Sequence, residues 1–411
     1  GHILTIHESG KTTNEKWWDL KAEIQNQPKI QNPVEWFRET FDDSIKLRMV
    51  SDVPVGVLLS GGLDSSSILA SLNQQNYKDI QTFNIGFKEK EHNESHLAKI
   101  MAEKFDYGFH TMQLEDSLLF DKLVNSTYFQ DEPIMHLSEP HILALSQLAK
   151  PSVKVLLSGE GADELMGGYV RYKALKYPSL LNSIGTIGHM DYFTTKPRYE
   201  KLARYSQIKD NDDLVIYSGS NIYPNDIAKT FGITNPPKNE YRKQILEDAK
   251  SLYPNNLRRQ ALYFDQHTYL CSLLDRNDRC TMGASIECRE PFLDQRLIIG
   301  LGSLEDKWLF TGKKWKYILK SAMAARLPEE ILKFKKVGLS VPWGDYLIKS
   351  PGFIAELESF SKSDLFRMPY FEHINAHKLV ENLRKGDRKM LPYIMPLFMM
   401  HIWLKTYANK F

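Results

Sequence analysis

Apolar side chains recur at three- and four-residue spacing from residue 34 to 49, at Val34, Phe37, Phe41, Ile45 and Met49, which is one face of an amphipathic helix. The chain then enters residues 55–59, a continuous apolar run between Pro54 and the turn Ser60-Gly61-Gly62. An uninterrupted run of that length predicts a strand buried on both faces of a parallel sheet. A helix through Ile68, Leu69 and Leu72 follows, then a strand over 82–87 and a helix from about Glu94 with Leu97, Ile100, Met101 and Phe105 on one stripe. Next come a strand near 110–114, a helix over 141–149 and a second strand over 153–157, apolar but for Lys154, which again ends in Ser-Gly. Strand and helix alternate, so the pattern predicts right-handed βαβ units and a doubly wound α/β parallel sheet.

Beyond Tyr169 the stripes are helical, broken by Tyr-Pro and Asn-Pro steps, with almost no strand-like runs. The α/β core is therefore expected over about 33–175 and a mostly helical part over about 176–411. Residues 1–32 hold a short strand candidate at 3–6, a turn at Ser9-Gly10, two tryptophans and a polar linker. That piece is too short to bury a core alone and reads as the end of a preceding domain.

The sharpest chemical signal is Ser60-Gly61-Gly62-Leu63-Asp64-Ser65-Ser66, between a buried strand and the helix after it. In an open α/β sheet, ligands bind beyond the carboxyl ends of the strands. Two glycines allow the backbone N–H groups to turn inward, two serines add hydroxyl donors, and a helix N-terminus favours anions. The segment is thus a candidate phosphate cradle, distinct from a Walker A loop because no Gly-Lys-Ser/Thr follows. Asp64 beside a phosphate would repel it, and a bridging Mg²⁺ removes the conflict. About a hundred residues later, Ser158-Gly159-Glu160-Gly161-Ala162-Asp163-Glu164, running on to Gly167-Gly168-Tyr169, repeats the strand-then-glycine logic with three carboxylates that need a cation if buried.

Composition narrows the partners. The formal net charge of the 411 residues is +2, with no dense basic stripe for a nucleic-acid backbone. The basic runs at 313–316 and 333–336 are short. Cys271, Cys280 and Cys288 form neither a disulfide framework nor a zinc-like spacing, which fits a reducing cytoplasm. The most apolar stretch, 393–404, is interrupted by Pro396 and His401 and is shorter than the ~20 residues of a membrane span. It predicts a buried C-terminal helix, and no membrane partner is expected.

The first loop resembles the PP-loop of N-type ATP pyrophosphatases, a fold of the adenine-nucleotide alpha-hydrolase-like kind. The second loop resembles the signature of glutamine-dependent asparagine synthetases. Asp131-Glu132-Pro133 agrees, as do Asp278-Arg279 ahead of Glu287-x-Arg289-x-Pro291-Phe292-Leu293-Asp294, and Lys316-x-x-Leu319 ahead of Leu327-Pro328. The resemblance runs from about residue 33 to the C-terminus. It implies a ligase that uses ATP and Mg²⁺ to convert aspartate and ammonia into asparagine through β-aspartyl-AMP, releasing AMP and pyrophosphate. By the same resemblance Ser60, Gly61, Gly62, Asp64, Ser65 and Ser66 hold the phosphates, with Asp64 and Asp163 as Mg²⁺ partners. Leu58 and Ile85 line the adenosine pocket, Ser158 and Gly159 contact the nucleotide, and Glu160 orients or deprotonates ammonia. Lys336, in Lys-x-Gly338-Leu-x-x-Pro342, neutralises the reacting phosphate and departing pyrophosphate.

Two departures accompany the resemblance. The family's glutamine-hydrolysing domain uses an N-terminal cysteine, whereas the first cysteine here is Cys271. The segment from Gly1 to Trp18-Asp19 resembles the end of that domain, so a glutaminase domain is expected in cis in the full-length protein. Phe334 stands where the family usually carries Arg. The resemblance leaves room for a homodimer, and for the same adenylation chemistry on a sugar, peptide or β-lactam precursor. A non-catalytic nucleotide-binding subunit is the rival of another class, and it predicts erosion of Asp64, Glu160, Asp163 or Lys336, all of which are present. Arg279, Glu287 and Arg289 suit a structural ion network as well as a substrate contact. His110, His136 and His141 have no partner spacing that marks a ligand or a base.

Overall fold

A computed structural model describes residues 1–86, 93–176, 208, 210–220, 223, 227–228, 239–311, 314–334, 343–387 and 390–408. The chain opens with a hairpin, β1 (His2–Ile6) paired antiparallel to β2 (Thr12–Lys16). Gly10, at φ +78°, turns the chain between them. Helix α1 (Leu20–Asn26) buries Leu20 and Ile24 in the main core.

The predicted amphipathic helix is α2 (Pro33–Arg48), with Pro33 at its first turn and Phe37, Phe41 and Ile45 fully buried. There follow β3 (Val55–Leu58), α3 (Leu63–Gln74), β4 (Gln81–Gly86), α4 (Ser95–Lys104), β5 (Gly108–Gln113), α5 (Asp116–Gln130), α6 (Glu139–Ala149), β6 (Val155–Leu157) and α7 (Ala162–Met166). Each predicted strand and helix of this stretch is present, with ends moved by at most two residues, and Phe87 lies outside the described residues. Helix α5 was not legible in the pattern, because its inward side mixes Leu119 and Leu123 with Ser126 and Thr127.

The five-stranded sheet has the order β5-β4-β3-β6-β7, all parallel, the last strand being β7 (Glu287–Arg289). Period-two alternation sorts its side chains to two cores. Val57 and Leu157 face α2, α3 and α4, whereas Phe83 and Leu156 face Leu145 and Ala149 of α6. Helices thus cover both faces, as expected for a doubly wound sheet. Strand β7 comes from the part expected to be mostly helical, with almost no strand-like runs, and completes the sheet beside β6. Three residues, Glu-Cys-Arg, carry no recognisable strand signal.

Chain order reverses at β3: the next two strands lie on one side of it, and β6 and β7 on the other. The carboxyl ends of β3 and β6 therefore form the topological switch point, where a parallel sheet opens a crevice. Both Ser-Gly turns stand at that place.

Past residue 238 the described chain is mainly helical. Helix α8 (Leu257–His267), α9 (Tyr269–Met282) and α10 (Gln295–Ser303) pack around the sheet end. A two-residue ladder, β8 (Phe310–Thr311) with β9 (Lys314–Trp315), leads into α11 (Tyr317–Met323). The last helices, among them α12 (Pro351–Phe360) and α13 (Leu391–Tyr407), build a second core on Phe353, Phe360 and Phe398. Helix α13 contains Pro396 and buries His401, as the apolar run at 393–404 predicts. Among the described residues no helix is long and apolar enough to cross a membrane.

Candidate active site

The first loop is fixed by its own hydroxyls. Ser60 Oγ lies 3.1 Å from Ser65 Oγ, Gly62 N donates to Ser60 Oγ at 3.2 Å, and Ser65 Oγ donates to the Gly62 carbonyl at 3.3 Å. Gly62 caps α3 without a side chain, so the first-turn N–H groups of this 12-residue helix have no side-chain acceptor at the cap. Gly61 is at φ +83°, and a Cβ there would sit 2.7 Å from Ala98 N and 2.9 Å from the Glu94 carbonyl. Only glycine lets the loop lie against α4.

The second loop ends β6 in the same crevice. Glu160 N donates to Ser158 Oγ at 3.2 Å, and Gly159 packs so closely on α3 that its Cβ would lie 3.1 Å from Asp64 Cβ. One cavity is lined by Leu58, Ser60, Gly62, Asp64, Ser65 and Ile85 from the first half, and by Ser158, Gly159, Glu160 and Asp163 from the second. Gly61 shapes the turn from outside the lining. Ser66 is fully buried behind the wall, its Oγ without a partner among the described residues. Lys336, with Gly338 and Pro342, lies outside the described residues. Phe334 packs against the main core, the environment of an apolar side chain and not of a phosphate-binding cation.

At the floor of the crevice Lys316 Nζ lies 2.6 Å from Asp64 Oδ1 and 2.6 Å from Asp163 Oδ1. All three residues are buried. Gly168 makes room for this triplet, because a Cβ there would come within 1.6 Å of Asp163 Oδ1 and 2.5 Å of Lys316 Cε. Gly167, at φ +73°, does the same for Phe310, which would meet a Cβ at 2.1 Å. The paired glycines of the second motif thus admit the β8–β9 segment to the site. Two carboxylates converging on one cation are hard oxygen donors that suit Mg²⁺. Among the described residues no third His, Cys, Asp or Glu joins them, so the remaining ligands would be phosphate oxygens and water.

Beside the cavity Arg276 of α9 donates from Nη2 to Glu160 Oε1 at 2.5 Å and from Nη1 to Ser138 Oγ at 3.1 Å. Arg276 is 7% exposed and lines the cavity with Asn277. Neither Arg276 nor Lys316 was singled out from the sequence for a role in the site. Each lies on an otherwise buried helical face, Arg276 with Leu273, Asn277 and Cys280 and Lys316 just ahead of Ile318 and Leu319. A cation on such a face is the available signal.

Several buried groups titrate abnormally. Burial pushes the Glu164 carboxyl up to about 8, helped by the charges of Asp163 and Glu160, while Tyr169 Oη donates to it at 2.5 Å. Burial likewise raises Glu139 to about 7, although it accepts from His136 N at 3.0 Å. His136 and His141 are each lowered to about 4, chiefly by burial, so both rings are neutral at pH 7. His141 lines the cavity near Leu145, and His136 Nε2 lies 2.9 Å from Ser272 Oγ. Arg289 holds Glu287 at 2.7 Å and donates to the Arg48 carbonyl at 2.7 Å, and Arg279 reaches Asp275 at 3.3 Å. All three make structural contacts at the edge strand and on α9.

A family profile described as asparagine synthase matches residues 36–405. The asparagine synthetase [glutamine-hydrolyzing] 1 of Bacillus subtilis (strain 168) is 27% identical over 366 residues, covering 83% of this chain and 55% of that protein. Its paralogue, asparagine synthetase [glutamine-hydrolyzing] 3, is 28% identical over 349 residues, covering 82% and 52%. The amidase chry2 of Gibberella zeae is 24% identical over 390 residues, covering 82% and 57%. The chain spans about half the length of these relatives. Two Ser-Gly turns at the switch point of a parallel sheet, the acidic pair beside them and a profile match over nine-tenths of the chain agree: this chain belongs to the asparagine synthase family.

Proposed function

We propose that the chain is the ATP-dependent half of an amide ligase that activates a carboxylate as its adenylate and lets ammonia displace AMP, with aspartate as the acceptor and β-aspartyl-AMP as the intermediate. One observation carries the reading: the two Ser-Gly turns from adjacent strands β3 and β6 share a single cavity with Asp64, Asp163 and Glu160. The loop hydroxyls and open N–H groups of α3 bind the phosphates, and Leu58 and Ile85 flank the adenosine. Mg²⁺ held by Asp64 and Asp163 would supply charge neutralisation to the polyphosphate. Glu160 faces the same space and takes a proton from the ammonium, since only the free amine attacks. Arg276 holds that carboxylate in one orientation. Lys336 is proposed, by resemblance alone, to meet the leaving pyrophosphate.

Ammonia would come from a glutaminase part like that implied by the names of the Bacillus relatives. The likeness to an amidase favours a second acceptor class, in which another carboxylate is amidated by the same chemistry. Aspartate labelled with ¹⁸O in its side-chain carboxylate tests the adenylate directly. Attack of that oxygen on the α-phosphorus, followed by loss of AMP from the acyl carbon, leaves one ¹⁸O in AMP. Unlabelled AMP accompanying labelled pyrophosphate or phosphate would overturn the reading.

A further inference from the structure

The Asp64–Lys316–Asp163 triplet is assembled from three distant pieces of chain, with one ammonium paired to both carboxylates. The ammonium donates to Asp64 Oδ1 at 2.6 Å and forms an ion pair with Asp163 Oδ1 at the same distance. Lys316 is 5% exposed, Asp64 8% and Asp163 6%, so each charge needs a partner of opposite sign in the interior. The fold makes special provision for the arrangement. Lys316 sits in the left-handed region at φ +49°, where side chains other than glycine are rare, and Gly168 leaves the slot through which its methylene chain passes.

We infer that Lys316 is a resident counter-cation, which keeps free divalent ions off Asp64 and Asp163 and yields its place only to a metal that arrives on a polyphosphate. The inference rests on the reading of those two carboxylates as partners of the nucleotide's metal. A free divalent ion competes for the same two oxygens, and to win them it must break both ion pairs of a buried ammonium without supplying an anion in their place. A metal bound to a triphosphate brings that anion with it, because the phosphate oxygens enter beside the loop and accept the displaced ammonium. The exchange then conserves ion pairing at every stage. Metal and nucleotide therefore enter together, and the resting site carries neither an idle metal nor an unpaired buried carboxylate.

Mn²⁺ titration followed by electron paramagnetic resonance tests this on the full chain, without nucleotide and with α,β-methylene-ATP, which cannot be adenylated from. The wild-type chain leaves Mn²⁺ free in the absence of the analogue and holds it in its presence. Lys316→Met binds Mn²⁺ alone at least tenfold more tightly than wild type, and Lys316→Met with Asp163→Asn loses that gain. Lys316→Gln, which keeps a polar group in the slot, provides the same comparison should the methionine variant fail to fold. Wild-type binding of Mn²⁺ alone as tight as that of either Lys316 variant would overturn the inference while leaving the metal reading intact. Binding of Mn²⁺ with the analogue that is unchanged by Asp64→Asn and by Asp163→Asn would overturn the metal reading, and the inference with it.

Discussion

Arg276 and Glu160 meet at 2.5 Å across the wall of the cavity, 116 residues apart in the chain. The guanidinium is nearly buried and the carboxylate side chain is 29% exposed, so the pair presents its acid to the cavity and keeps its base behind it. That polarity suits a carboxylate held in one orientation at the cavity wall.

Removing the guanidinium separates positioning from chemistry. Arg276→Gln is expected to lower kcat by about 10²-fold, the lower end of what a positioned general base contributes. It should also destabilise the fold by about 3 kcal/mol, as for a broken buried pair. Steady-state AMP release and a denaturant titration measure the two effects. Arg276→Lys should restore most of the stability and only part of kcat, because an ammonium cannot bond Glu160 and Ser138 in the same forked geometry.

Glu160→Gln keeps the size of the side chain and an acceptor for Arg276. Amide formation is expected to fall by about 10²–10⁴-fold while binding of Mg-ATP stays within a factor of about two. Turnover equal to wild type would remove Glu160 from the chemistry.

Gly168→Ala tests why two glycines close the second motif. Its Cβ would collide with Asp163 Oδ1 and Lys316 Cε, and neither atom can retreat without breaking a buried ion pair. A loss of about 1–3 kcal/mol in stability is expected, as for other overpacked sites, together with loss of nucleotide binding. A folded variant that binds Mg-ATP normally would contradict the slot.

The raised carboxyls give stability a definite slope. Glu164, at about 8, and Glu139, at about 7, hold protons in the folded chain that the unfolded chain has released above its ordinary carboxyl range. Their contribution is fully present below about pH 4.5 and is lost as pH rises through 7 to 8. His136 and His141 are depressed to about 4, so their contribution is present above about 6.5 and lost as pH falls. From pH 6.5 to 8 only the carboxyls change, and stability should fall by up to about 1.4 kcal/mol per pH unit for each titrating group. Glu164→Gln should flatten that decline while keeping an acceptor for Tyr169. Thermal melts across this range measure it, and an unchanged slope would contradict the assignment.

Much of the sheet and both glycine turns were legible because each is written locally. A buried strand is a run of apolar residues, and a turn that approaches a ligand or a neighbouring helix needs Gly61 or Gly161 at positive φ. Strand β7 was not legible, since three residues have no period, and α5 was hidden by the serine and threonine on its buried side. The acidic half of the site could be read from Asp64, Glu160 and Asp163. Its basic half could not, because Lys316 reaches Asp64 over 252 residues and Arg276 reaches Glu160 over 116. Both pairings are set by how helices pack on the sheet end, which no local pattern specifies.

Release of AMP from Mg-ATP by the purified chain, with ammonium and without glutamine, measured with and without aspartate, tests the central claim most directly. Aspartate-dependent AMP in one-to-one ratio with asparagine is the predicted result. AMP release that ignores aspartate, or ADP in its place, would contradict it.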